Sequence, residues 1–191
     1  MLEKLGIKNI KISYILLPQV SVKIHGGNVN VTNHWSKFGV DFELDEIFKQ
    51  RIRNLPGNSI ADVAEEAVIA QFTQNGFVPF LTKYGGNNGL DALLANSDDL
   101  ATATRIIILE VKSSTTKNVP FNVKLGEGYG GRQMETIWLQ GVISKMENQA
   151  EKSITLVGTS LRSVVETNPH VIEKYLVEVD NSALAKIIRV Q

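Results

Sequence analysis

The sequence contains no cysteine, and this absence removes disulfides, thiolate metal centres and a cysteine nucleophile from consideration. Long apolar runs are missing too: the best is Ile15-Leu16-Leu17, far short of the roughly 18 to 20 residues that a membrane span needs. The first residues, Met-Leu-Glu-Lys-Leu-Gly, have no apolar stretch ending in a small-residue cleavage site, so they do not read as a secretory signal. Charge of one sign is not in excess either. Twenty Lys and Arg balance twenty Asp and Glu, so no global field draws in a polyanion, and a nucleic-acid partner would need a local basic stripe. Only three histidines occur, at 25, 34 and 170, none near the acidic residues discussed below, which disfavours a histidine-rich zinc site.

What is present is the composition of an ordinary globular chain, 43% hydrophobic and 21% charged over 191 residues, enough for one sizeable core. Residues 7 to 24 alternate apolar and polar with many β-branched side chains and predict strands. His25-Gly26-Gly27-Asn28 reads as a turn into a further strand, Val29 to Thr32. A charged helix is expected from Asp41 to Arg53. Pro56-Gly57-Asn58 breaks it and divides the chain into an accessory region, 1 to 55, and a working domain, 56 to 191. Ser59 offers an N-cap and Asp62 a first-turn acid for a helix from about 60 to 75, stopped by Asn75-Gly76. Ile60, Val63, Ala64, Ala67 and Val68 form its apolar face, and Glu65 falls at the edge of that face, pointing toward the core margin.

Beyond it, Phe77 to Leu81 and Leu90 to Ala95 predict strands separated by the turn Tyr84-Gly85-Gly86-Asn87-Asn88-Gly89. A polar turn, Asn96 to Asp99, leads to Arg105-Ile-Ile-Ile-Leu-Glu-Val-Lys112. That run has the continuous apolar character of a central strand buried on both faces. A glycine-rich loop (126, 128, 130, 131) precedes a helix from about Arg132 to Ala150, with Met134, Ile137, Trp138, Gly141 and Val142 on its core face. Alternation at Ile154-Thr-Leu-Val, a short helix after Pro169, and a terminal hairpin of Tyr175–Val179 with Lys186–Val190 follow. Helices on either side of strands predict an α/β fold with a mixed central sheet flanked by helices.

The chemistry concentrates in Gly89-Leu90-Asp91 and, after eighteen intervening residues, Glu110-Val111-Lys112. With Asp91 opening one strand and Glu110 late in its antiparallel partner, both carboxylates come to the same end of the sheet. The two-residue period puts Glu110 and Lys112 on one face. Asp91, Glu110 and the Val111 carbonyl are hard oxygen donors suited to a divalent cation, with Glu65 as a supporting ligand from its helix. Lys112 is placed to orient or deprotonate a water, or to neutralise charge in a transition state. A Glu-x-Lys pair at a strand end is also a common solvated ion pair of little energetic weight; the apolar run before Glu110 argues for burial and so for a need of partners. Arg132 and Gln133, behind the glycine loop, and Ser113, Lys83, Lys117 and Lys124 are candidates for contacting an anionic substrate.

The ordered set of helix-borne Glu65, Gly89-Leu90-Asp91 and Ile108-Leu109-Glu110-Val111-Lys112-Ser113-Ser114 resembles the PD-(D/E)XK nuclease superfamily over about residues 57 to 150. Lys83-Tyr-Gly-Gly-Asn-Asn-Gly-Leu-Asp91 and Gly130-Gly-Arg-Gln-Met-Glu-Thr-Ile-Trp138 are similar, more narrowly, to nuclease domains at the C-termini of bacterial polymorphic toxins, such as contact-dependent growth inhibition effectors. The likeness implies a restriction-endonuclease-like core and a metal-dependent endonuclease, with Glu65, Asp91, Glu110 and Lys112 as its catalytic residues. The cofactor would be Mg²⁺ in preference to Zn²⁺ or Mn²⁺. DNA is favoured over tRNA as the target. The likeness also implies a cognate immunity protein and delivery of the toxin into the cytoplasm of a competing cell. An RNA-cleaving toxin, a restriction or repair nuclease and a non-catalytic binding module are the rival readings.

Overall fold

The structure, a computed structural model, describes residues 17–22, 38–56, 59–86, 88–114 and 125–191. The strands expected before residue 17, the turn at 25 to 28, the strand at 29 to 32, Lys117, Lys124, His25 and His34 lie outside them.

The fold is α/β, built on a mixed sheet whose main path runs β1-β9-β8-β5-β4-β3. Its strands are β1 (Ser21–Val22), β2 (Val40–Asp41), β3 (Val78–Phe80), β4 (Ala92–Ala95), β5 (Ile106–Ser114), β8 (Ile172–Asp180) and β9 (Ala185–Val190). β3, β4 and β5 are joined antiparallel, β5 and β8 lie parallel, and β8 and β9 form the expected terminal hairpin. The outer edge of β9 is covered by β2 at Lys186–Ile187 and by β1 at Arg189–Val190. A small separate hairpin joins β6 (Glu127–Gly128) and β7 (Gly131–Arg132).

Strand β5 is central because its sequence allows nothing else. Ile106 and Ile108 enter one core cluster while Ile107 and Leu109 enter the other, so both faces need cover. On the first face lie α3 (Thr136–Glu147) and α4 (Lys152–Thr167), through Trp138, Val142, Met146, Ile154 and Leu161. The two helices touch so closely at Gly158 that an added Cβ would stand 2.9 Å from that of Met146. On the second face lie α1 (Glu46–Asn54) and α2 (Ala61–Gln74), through Ile52, Ala64, Val68 and Phe72. Each large aliphatic or aromatic side chain so buried contributes about 1.5–3 kcal/mol. Among the described residues no helix is long and apolar enough to cross a membrane.

Several boundaries differ from expectation for identifiable reasons. The first helix starts at Glu46, not Asp41: the Asp45 carboxylate caps Ile47 N at 2.8 Å, while Asp41 is taken into β2. Helix α2 begins after Ile60, which takes the N-cap position in place of Ser59; Gly76, at φ 86°, ends it. Ile154 to Val157 is helix, not strand, because Ile154, Gly158, Leu161 and Val164 place one face of a 16-residue helix in the core. The helix expected from Arg132 starts only at Thr136, since Arg132 pairs in β7 and Met134 adopts φ 74°. Ile137, expected beside Trp138 on the core face, is exposed. The described residues on both sides of the expected boundary near 55 share one core: Leu17, Phe42, Leu44 and Ile52 pack with Phe72 and Ile187.

Candidate active site

Strand register sets the site. Ala92 lies opposite Leu109, so one step farther Asp91 comes opposite Glu110, where β4 ends and β5 continues. Asp91 reaches that position through a turn that only glycine permits. Gly89 has φ 117°, and a Cβ there would sit 2.2 Å from the Thr82 carbonyl oxygen. Thr82 Oγ1 donates to Leu90 O at 2.9 Å and Tyr84 N to Asn88 O at 3.0 Å, closing the turn.

The Val111 backbone N–H donates to Asp91 Oδ2 at 2.8 Å. In an extended strand a residue's N–H and C=O face the same edge, so the Val111 carbonyl opens on the same notch beyond the end of β4. Glu110 and Lys112 rise together from the α3 side of β5, as their spacing predicts. Glu110 is 2% exposed, and Lys112 Nζ donates to its Oε1 at 2.5 Å. Burial pushes the Glu110 carboxyl well above its ordinary range, and the charge of Asp91 pushes the same way. Lys112 and Gln133 offset only part of this.

Gln133 belongs to this group: its Oε1 accepts from Gly126 N at 2.7 Å and from Lys112 Nζ at 3.3 Å. Arg132 is turned elsewhere. Its Nη2 bonds Glu127 Oε1 at 2.9 Å, and its buried Nε has no hydrogen-bond partner. Arg132 therefore belongs to the β6–β7 hairpin and does not open a helix. Ser113 is exposed and, one residue from Lys112 along the strand, lies on the opposite face.

On the other side of Asp91 stands Lys83. Its Nζ is 2.5 Å from Glu65 Oε2 and 3.7 Å from Asp91 Oδ1, so an ammonium separates Glu65 from Asp91. Burial raises the Glu65 carboxyl, and the Lys83 hydrogen bond only moderates the rise. Burial pulls Lys83 down, but Glu65 and Asp91 together hold its amine above the ordinary value. Among the described residues no group of three or more His, Cys, Asp or Glu side chains is arranged to hold a metal ion. The two-carboxylate notch of Asp91 and Glu110 with the Val111 carbonyl does suit one. All its donors are hard oxygens, and the repulsion that raises Glu110 is of the kind a cation relieves.

Two contributors escaped the sequence reading. Lys174, half-buried, donates to Met134 O at 2.6 Å and braces the left-handed residue next to Gln133; burial lowers its amine. Glu178, 5% exposed, lies opposite Lys112 on β8. Nothing in the local pattern Val-Glu-Val-Asp marks it, since that alternation is what a half-solvated strand shows. The Tyr84 and Tyr129 hydroxyls, 3.1 Å apart, tie the Gly89 turn to the β6–β7 hairpin.

Compared with models of protein families, with curated proteins and with solved structures, the chain matches none.

Proposed function

We propose that this protein is a metal-dependent endonuclease of the PD-(D/E)XK type. One observation carries the reading: Asp91 and Glu110 stand at the same step of adjacent strands, with Lys112 on the same face and bonded to Glu110. A mixed sheet with helices on both faces is the scaffold such a core requires, which supports the finer fold assignment.

In this reading Asp91, Glu110 and the Val111 carbonyl hold a divalent cation, Mg²⁺ in preference to Zn²⁺ or Mn²⁺. Such an ion, held there, would supply polarisation of a phosphoryl oxygen and a more acidic water. Lys112 directs its ammonium at the attacking water or at the charge that develops on phosphorus-bound oxygen. In the absence of a cation, Gln133, fixed by the Gly126 N–H, accepts from the Lys112 amine. Lys83 stands as a counter-charge beside Asp91, with Glu65 acting through Lys83. The likeness to polymorphic-toxin nuclease domains extends the proposal to a DNA-cleaving effector delivered into a target-cell cytoplasm and neutralised by a cognate immunity protein.

Incubation of purified protein with plasmid DNA and, separately, with total tRNA, each with Mg²⁺ and with chelator, tests the proposal. Plasmid cleavage abolished by chelator and by Asp91→Ala is expected. Cleavage of tRNA alone shifts the substrate to RNA, and undiminished cleavage in Asp91→Ala, Glu110→Ala and Lys112→Ala refutes the assignment of the site.

A further inference from the structure

The sheet carries a second acid on the far side of Lys112. In the parallel register of β5 and β8, Lys112 lies opposite Glu178, so both side chains rise from one face of neighbouring strands about 5 Å apart. The row continues outward: Glu178 lies opposite Lys186 on β9, and Lys186 opposite Asp41 on β2. Glu178 thus sits between two lysines, and each has turned away from it. Lys186 bonds Asp41, and Lys112 bonds Glu110. Glu178 keeps its Oε2 buried with no hydrogen-bond partner.

The next acid on the strand is engaged otherwise. Asp180 Oδ1 accepts from Ser182 N at 2.9 Å, Ser182 Oγ at 2.6 Å and Leu184 N at 2.9 Å, holding the β8–β9 turn. A buried carboxylate oxygen without a donor is costly to keep and is rare unless a partner arrives in another state of the molecule.

Lys112 is the partner within reach. Its bond to Glu110 places an ammonium on the carboxylate that the proposed cation needs, and two cations on one carboxyl oxygen repel. The flexible four-carbon stem of lysine lets its amine move several ångströms while the strand stays fixed. We propose that Glu178 is the second seat of the Lys112 ammonium: with a divalent cation on Asp91 and Glu110, Lys112 leaves Glu110 and bonds Glu178 Oε2. Glu178 is therefore a positioning residue, clearing Glu110 and holding the amine at the border of the site. This inference rests on the metal-dependent reading given above.

Calorimetric titration of the whole chain with Mg²⁺, and with Ca²⁺ as a second probe, tests it without any nucleic acid. The variants are Glu178→Gln, Glu178→Leu, Lys112→Met and the pairs of Lys112→Met with each. Loss of the second seat should weaken cation binding on the order of tenfold, more in Glu178→Leu than in Glu178→Gln. Lys112→Met should tighten binding, and in that background the Glu178 substitutions should have no effect. An affinity indifferent to Glu178, or a Glu178 effect that persists undiminished in Lys112→Met, overturns the proposal. Thermal unfolding without metal should show neither Glu178 variant less stable than the parent; a loss there would mark a structural role and also overturn it. A parent chain that takes up no divalent cation sinks both this proposal and the metal-dependent reading. Uptake that is abolished by Glu110→Gln yet unchanged by Glu178→Leu sinks this proposal alone.

Discussion

At the Ile106 end of β5, Arg105 donates through Nε at 3.0 Å and Nη2 at 2.8 Å to the two oxygens of Glu173, and the Tyr175 hydroxyl donates to the same carboxylate. Burial pushes Glu173 up, but these donors and the arginine charge leave it below its ordinary value. At the Ser114 end the pattern is reversed. Glu110 and Glu178 are buried, each faces another acid, and both are pushed up, Glu178 to about 7. The paired strands β5 and β8 thus carry two kinds of buried charge, one at each end. Where donors match acceptors, the group behaves as structure. Where acids outnumber the donors turned toward them, the site stores a demand for positive charge, which is the condition for binding a cation or an ionised substrate.

The sharpest way to break the contrast is to exchange the charged groups at the mismatched end. Lys112→Ala and Glu110→Gln are expected to lower plasmid cleavage by about 10²–10⁴-fold, the range for loss of a positioned proton-transfer group. Arg105→Met should leave the rate near that of the parent chain. Equal losses at both ends, in folded variants checked by circular dichroism, would remove the distinction.

The second test reads stability, through Glu178. Its carboxyl has an ordinary value near 4.5 and is raised to about 7 in the fold. Between those values the folded chain binds more protons than the unfolded one, so stability falls as pH rises through this window and levels off above it. The penalty at pH 8 is about 3 kcal/mol. Glu178→Gln should therefore be more stable than the parent by about that amount at pH 8 and equal to it at pH 4, as measured by urea unfolding. A variant less stable at pH 8 would show that the carboxylate is matched after all.

How much of this was legible in the sequence differs between the two sides of β5. The β4–β5 pairing is readable because Gly89-Leu90-Asp91 and the apolar run before Glu110 each carry a strong local signal, and the two strands are consecutive antiparallel neighbours. Glu178 was not readable, because its place beside Lys112 depends on a parallel pairing across two helices and a hairpin. Lys174 reaches the Met134 carbonyl, one residue beyond Gln133, through the same crossover. The alternation at Ile154 to Val157 misleads for a related reason. Four alternating residues satisfy a strand, and the helical repeat emerges only when Leu161 and Val164 are included.

At the matched end, Arg105→Met removes both bonds to Glu173 and leaves a half-buried carboxylate with Tyr175 as its remaining hydrogen-bond donor. Arg105 is 36% exposed at its side chain, so solvent screening limits the loss to about 1–2 kcal/mol, readable in urea unfolding. A gain in stability would show that the pair is no more than tolerated.

The smallest single effect is expected from Tyr175→Phe. It keeps the ring in the core and removes one donor, costing about 1 kcal/mol while Arg105 still holds Glu173. Burial and the bond to Glu173 push the Tyr175 hydroxyl up to about 12, so the tyrosine donates throughout the neutral range and the cost should not vary between pH 6 and 8. The pair of substitutions is the informative one. Each alone leaves Glu173 a donor, whereas Arg105→Met with Tyr175→Phe takes away both, so the combined loss should exceed the sum of the two by about 0.5 kcal/mol or more. Strict additivity would mean that Glu173 finds solvent as readily as a surface acid, and the two ends of β5 would then differ in charge count alone.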